Sequence, residues 1–273
     1  MRTLLTALAV FTLAAAAPAC AQDNPTGGDG GIPKEGIQGY VALGAGLLPD
    51  YEGASKYVTV PYFDGQANLG NYFLRFDGAL ELNLLDDEHF HAGPLIGYRM
   101  GRGDVYSGAV ARMAHIRYSM TEGGFVEWEH MAEDPRSGER ITLTAAEGNI
   151  NRDTGLEVDL RALAHRPLAF IDEGLIATLE IDTAWSDGDY MQTFFGVNAA
   201  DAAASRFPVF NAGAGVKSAG ISLSLDQFLS PKFSIGIRAH YARLLNAAAD
   251  SPVTRIAGSA DQMFGGVVVG YVL

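Results

Sequence analysis

Four short stretches of this sequence carry side chains able to do chemistry. "LDDEH" (85–89) groups Asp86, Asp87, Glu88 and His89, a set of hard oxygen donors with one imidazole. Such a set suits a divalent cation, and equally a solvated turn. "NINRDTG" (149–155) resembles a calcium loop, but its glycine falls one place late and position twelve is Leu160, where the loop needs a bidentate Glu. "GRGDV" (101–105) holds an Arg-Gly-Asp tripeptide of the kind integrins bind, in a stretch where glycine and charge make it a chance match. Ser119, His130 and His240 are the raw material of a nucleophile and a base, yet no nucleophile elbow accompanies them. The histidines show no H-x-x-x-H pair. No catalytic residue, metal ligand or cofactor is assigned from these stretches.

The remaining ionisable residues sit in alternating strands, so the strands decide what the charges can do. "GLEVDLRALA" (155–164) sets Leu156, Val158, Leu160 and Ala162 against Glu157, Asp159 and Arg161. The same alternation returns in "YFLRFDGALELNL", "FHAGPLIGYRM", "RITLTAA", "LIATLEIDTAW", "FSIGIRAHYAR" and "MFGGVVVGYVL". Its polar face carries Arg75, Asp77, Glu81, Arg99, Glu157, Asp159, Arg161, Glu180, Asp182 and Arg238. In a soluble sandwich that face meets water; in a membrane barrel it lines the lumen and the apolar face meets lipid.

Strand length favours the barrel. Several alternating stretches run roughly 10–14 residues, whereas a soluble strand averages ~5–6 and a tilted membrane strand needs ~9–11. Connectors fall into tight ones ("LGN", "LLDDEH", "PRSG", "LSPK") and long ones (48–57, 101–118, 187–209 and 246–261), as in outer-membrane barrels. Tyr40, Tyr57, Tyr72, Tyr98, Trp128, Trp185, Tyr241 and Tyr271 lie near strand ends, where interfacial girdles place such rings. The expected fold is therefore all-β, an antiparallel transmembrane β-barrel of 12 strands, with 10 as the alternative. The ambiguous pieces are 104–118 and 209–220. The spacing of Val110, Met113, Ala114 and Arg117 suggests a short helix or infolded loop, and Asn198 to Pro208 suggests a capped helical turn.

Residues 1–21 read as a secretory signal peptide: Arg2, the apolar run "LLTALAVFTLAAAA", then Ala19, Cys20 and Ala21 before a cleavage at Gln22. A lipoprotein with Cys20 acylated is the alternative, against which "APAC" has Ala17 where Leu is usual. Cys20 is the sole cysteine, so no disulfide or thiolate site is expected in residues 22–273. Residues 22–35 are polar and Gly/Pro-rich, a flexible periplasmic leader, and 36–273 form the barrel. The formal charge of −13 repels phosphates and argues against nucleic acid as a partner. Beyond the signal no apolar run reaches the ~18 residues of a membrane helix.

Longer motifs give a resemblance. "LPDYEGAS", "HAGPLIGYRMGRG", "EGGFVEW", "SDGDYMQTFFGVNAADAAAS" and "AADSPV" are similar to the MltA-interacting (MipA/OmpV) family of outer-membrane proteins. The residues carrying it are Pro49, Tyr51, Gly53, Gly93, Pro94, Arg99, Gly101, Arg102, Asp187, Tyr190, Phe195, Gly196, Asp250, Ser251 and Pro252. The resemblance implies a Gram-negative outer-membrane location and a non-enzymatic scaffold that links a lytic transglycosylase, a murein hydrolase, to a murein synthase. Outer-membrane lipid is the other expected partner. The alternative function is a narrow channel or solute-binding pore with a charged lumen. Where such barrels usually finish on an aromatic residue, this sequence has Leu273, with Tyr271 two before it.

Overall fold

The structure, a computed structural model, describes residues 37–148 and 155–273. The signal peptide, the leader and most of the calcium-like stretch lie outside the described residues. Among the described residues twelve strands follow in order: β1 (Gln38–Pro49), β2 (Tyr57–Leu69), β3 (Tyr72–Phe76), β4 (Ala79–Leu82), β5 (Phe90–Arg99), β6 (Ser119–Met131), β7 (Gly138–Gly148), β8 (Leu156–Pro167), β9 (Leu175–Ser186), β10 (Gly215–Phe228), β11 (Phe233–Leu244) and β12 (Asp261–Val272). Each pairs antiparallel with its sequence neighbours, and β12 returns to β1, so the sheet closes. Closure removes the exposed edges that an open sheet would present to lipid.

The alternation settles which face is which. Leu43, Ile96, Leu143, Leu160, Ile181 and Val267 are exposed on the outer wall, while Arg75, Glu81 and Glu127 are buried inside. Leu160 of "GLEVDLRALA" thus looks outward, and Glu157, Asp159 and Arg161 line internal cavities. The outer face has acidic exceptions, among them Glu122 and Glu147, which sit opposite each other on β6 and β7. Tyr57, Tyr72, Tyr98, Trp128, Trp185 and Tyr241 are exposed rings on the outer wall. Tyr40 differs: it shares the inward phase of buried Ala42, and its hydroxyl donates to Asp64 at 3.0 Å. His130, on the outer face near the end of β6, lies parallel to Trp128.

The chain termini of the barrel and the tight connectors share one end, which by the habit of such barrels is periplasmic. At the other end lie the connectors 50–56, 100–118, 187–214 and 245–260, which carry four short helices: α1 (Gly188–Phe195), α2 (Ala199–Ser205), α3 (Asn246–Asp250) and α4 (Pro252–Arg255). Asn198 caps α2, its side chain accepting from the Asp201 amide at 2.9 Å. The 105–118 stretch holds one 3-10 turn, Val110–Arg112, with Val110 buried.

The strand number is right for a different reason than the sequence offered. Residues 72–84 are a hairpin rather than one strand, turning at Asp77 and Gly78. Phe76 faces Leu80, and Gly78 takes φ +76°, which glycine adopts without a Cβ clash. The ambiguous 104–118 stretch contributes no strand, and part of 209–220 is simply the start of β10.

This hairpin is short. β3 has 5 residues and β4 has 4, beside 14 in β10. β3 therefore pairs with β2 only from Gly65 to Leu69, and residues 57–64 of β2 pair with β1 alone.

Candidate functional site

Three polar layers and a packed cap fill the barrel. The cap is apolar. Tyr51 and Ala54 from the first outer loop meet Val110 and Met113, Val197 and Phe207, and Val253, one cluster drawn from four loops. α1 adds a second cluster, Tyr190, Met191, Phe194 and Phe195 against Ala212, Leu244 and Ala248. Hydrogen bonds tie the loops together: Arg102 donates to the Phe194 carbonyl at 2.8 Å, and Ser251 Oγ to the Phe195 carbonyl at 2.6 Å. Asp187 caps α1 by accepting from the Tyr190 amide at 2.8 Å. At the chain reversal after β1, Gly53 has φ +92° and donates its amide to Gln262 at 3.0 Å.

Beneath the cap lies the first polar layer. Lys217 pairs with Glu157 and with Glu52 (2.7 Å) and donates to the Tyr190 hydroxyl at 2.9 Å. Tyr190 donates in turn to Glu52 at 2.8 Å. Burial, reinforced by Glu157 and Glu52, pushes the Tyr190 hydroxyl well above its ordinary range, so it stays a donor. The Arg99 guanidinium lies 4.6 Å from the centre of the Tyr190 ring and donates to the Gly155 carbonyl at 3.1 Å. A bulge makes this layer possible. The β9–β10 register shifts between Val216 and Ser218, and the extra residue, Lys217, is re-aimed inward.

At mid-height Arg75 on β3 holds two carboxylates. It donates to Glu81 at 2.8 Å and to both oxygens of Glu127, at 3.1 and 2.6 Å. Thr142 donates to Glu127 at 2.7 Å, and Arg140 lies 3.6 Å from it. Arg161 pairs with Asp77 at 2.8 Å and with Glu81 at 3.5 Å. Towards the periplasm, Arg238 pairs with Asp226 at 3.0 Å and His240 with Asp182 at 3.0 Å. A cavity of about 640 Å³ runs from Asp77, Arg161 and Asp159 down to Met131, Phe228 and Val272 at the periplasmic ends of their strands. A second of about 310 Å³ continues from the same three residues upward to Arg99 and Glu157.

The residues singled out in the sequence thus divide. Arg75, Asp77, Glu81 and Arg161 form one network, and Glu157 and Arg99 belong to the layer above. Asp182 and Arg238 sit in separate pairs, while Asp159 and Glu180 line the large cavity with no ion pair within 4 Å among the described residues. Of the motif residues, Tyr51, Gly53, Arg102, Tyr190, Phe195, Ser251 and Pro252 join in or at the cap, with Pro49, Gly101, Asp187, Gly196 and Asp250 flanking them in the same loops. Gly93 and Pro94 stand apart in the middle of β5. Ser119, His130 and His240 do not converge: Ser119 begins β6, His130 lies near its other end on the outer face, and His240 is bound to Asp182. Lys217, Glu52 and Arg140 were not singled out, and the bulge that turns Lys217 inward leaves no signal in the alternation.

His91, Glu127 and Glu129 bring one ligand atom each within 4.8 Å, the donor set of a metal site. Glu127, however, is already held by Arg75 and faces Arg140, and two guanidiniums beside a dication oppose its binding.

A family model described as MltA-interacting protein MipA matches residues 41–273. The chain belongs to that family. As a family member with a closed barrel and an apolar outer wall, it is an outer-membrane protein of a Gram-negative bacterium. No curated protein matches its sequence. Among solved structures it is similar to OmpT of Vibrio cholerae (8% identity, 87% of this chain and 97% of that one, TM-score 0.38). It is also similar to the outer membrane protein OprD of Pseudomonas aeruginosa (10%, 87% and 94%, 0.33). A third is Ail, the attachment invasion locus protein of Yersinia pestis (10%, 86% and 98%, 0.22).

Proposed function

We propose that the protein is a non-enzymatic outer-membrane anchor whose periplasmic face brings a lytic transglycosylase together with a murein synthase. The family's name supports the first partner. The observation that carries the reading is the cap: four outer loops pack into continuous apolar clusters across the outer mouth, above two layers of interlocked ion pairs. A solute crossing the barrel would have to unpack both. What stays accessible among the described residues is periplasmic, namely the lower cavity and the tight turns. The turn at Asp134 illustrates their solvated character: Arg136 holds its carboxyl below the usual range.

The test is capture of a purified lytic transglycosylase by the folded barrel in detergent. Capture that fails on deleting residues 22–35, or on replacing the 132–137 or 168–174 turn with Gly-Ser, is the expected outcome. Retention of capture by every such variant would contradict it. The 640 Å³ cavity favours a narrow channel as the second reading. Steady single-channel steps in planar bilayers, lost on neutralising Arg99 and Arg161, would establish the channel and displace the scaffold.

A further inference from the structure

The barrel wall is incomplete on one side. β2 meets β3 only up to Gly65–Phe76, and β5 meets β4 only up to Gly97–Ala79. Above those points β2 pairs with β1 alone and β5 with β6 alone. Between them the hairpin stops at Asp77 and Gly78. Among the described residues, the backbone of 57–64 makes no hydrogen bond except to β1. Pro61 sits in this stretch, and a proline belongs at a free edge because it has no N–H to leave unpaired. Free backbone at membrane depth persists only where it borders a cavity or is covered.

The cavities border the gap from its two sides: Tyr62 and Asp64 of β2 line the 640 Å³ cavity, and the 310 Å³ cavity reaches the hairpin tip and β5. The 310 Å³ cavity is lined by the inward residues Arg99, Asp159 and Arg161, by Gly78 and Ala79 at the hairpin tip, and by Tyr98, which is 56% exposed on the outer wall. The cavity thus reaches the β5 edge of the gap, at Gly97 and Tyr98. Outside the gap the surface is apolar, with the Phe63 and Phe76 rings 5.2 Å apart and Leu80 exposed beside them. Inside, the cations are shared. Arg75 serves Glu81 and Glu127, Arg161 serves Asp77 and Glu81, and Lys217 serves Glu52 and Glu157. Asp159 borders both cavities and, among the described residues, has no cation within 4 Å.

We propose that this gap is a lateral port that takes an amphipathic cation from the outer leaflet, its single apolar tail between Phe63 and Tyr98 and its ammonium head against Asp159. The apolar rim selects the tail, and the unmatched carboxylate selects the head.

The probe is dodecylammonium with a nitroxide at the chain end, added to the full mature barrel folded in phosphatidylcholine vesicles. The expected spin-resonance spectrum has a motionally restricted component that saturates at about one probe per barrel, the stoichiometry of a single pocket. Dodecyl sulfate and butylammonium do not displace it, and unlabelled dodecylammonium does. Asp159→Asn weakens it about tenfold, the order expected from one charge-assisted hydrogen bond, with folding checked by heat-modifiable gel mobility. If Asp159→Asn does not fold, the competition on the native protein decides alone. A restricted component that grows linearly with probe reports annular lipid only and overturns the port. Displacement by dodecyl sulfate overturns the role of Asp159. Equal displacement by butylammonium reduces the site to a plain cation pocket and overturns the port.

Discussion

β10 and β11 stay in register from Ser218–Leu244 to Phe228–Ser234, while β3 and β4 manage only Leu74–Leu82 to Phe76–Leu80. The two hairpins belong to one closed sheet but are held by different forces. Along β10–β11 the backbone ladder spans the membrane, and outward Ile221, Leu223, Ile235 and Ile237 meet lipid. The short hairpin has a ladder of only three residue pairs of its own. Arg75 adds a buried tie, reaching from β3 to Glu81 on β4 and across the lumen to Glu127 on β6. A barrel can thus leave part of its wall low if a buried ionic latch ties the low part to the full-height strands.

The largest effect should come from breaking that latch. Arg75→Ala leaves Glu81 and Glu127, each almost wholly buried, without their shared partner. Urea unfolding in vesicles should show a loss of about 3–5 kcal/mol, the usual cost of stranding a buried charge; a loss below 1 kcal/mol would mean the short hairpin holds itself. Phe195→Ala empties a fully buried site in the cap. It should cost about 3 kcal/mol, read as faster proteolysis of the 187–214 loop with the barrel band intact on a gel. Arg238→Ala is the counterpart of Arg75→Ala in the long-ladder region, where it breaks one partly buried pair with Asp226. About 1–2 kcal/mol is expected, and a loss equal to that of Arg75→Ala would erase the contrast. Asn198→Ala removes the cap of α2 and should cost about 1 kcal/mol, visible as local amide exchange in 199–205 only.

Alternation made most of the barrel legible because a lipid-facing wall with a polar lumen forces a period of two on every strand. The same rule hid the short hairpin. Phe76 and Leu80 pair across the turn at Asp77 and Gly78 and share one face, so inward and outward positions keep their phase through it. The Asp77-Gly78 pair between alternating apolar residues was the available signal. The charges of the lumen were legible one at a time, but their partners were not. Arg75 and Glu127 are 52 residues apart, and only the closed sheet brings them together. In the cap, Tyr190 and Ser251 stood out through the family motifs, whereas Lys217 depends on a register shift that no pattern in its own strand announces.

Amide hydrogen exchange of the barrel in lipid nanodiscs, resolved along β2, tests most directly whether the wall is low beside the short hairpin. Exchange at alternate amides in 57–64 at the rate of open backbone, with 65–69 and 218–228 protected, is the predicted pattern. Uniform protection from Tyr57 to Leu69 would contradict it, since every β2 amide would then be paired and the wall complete.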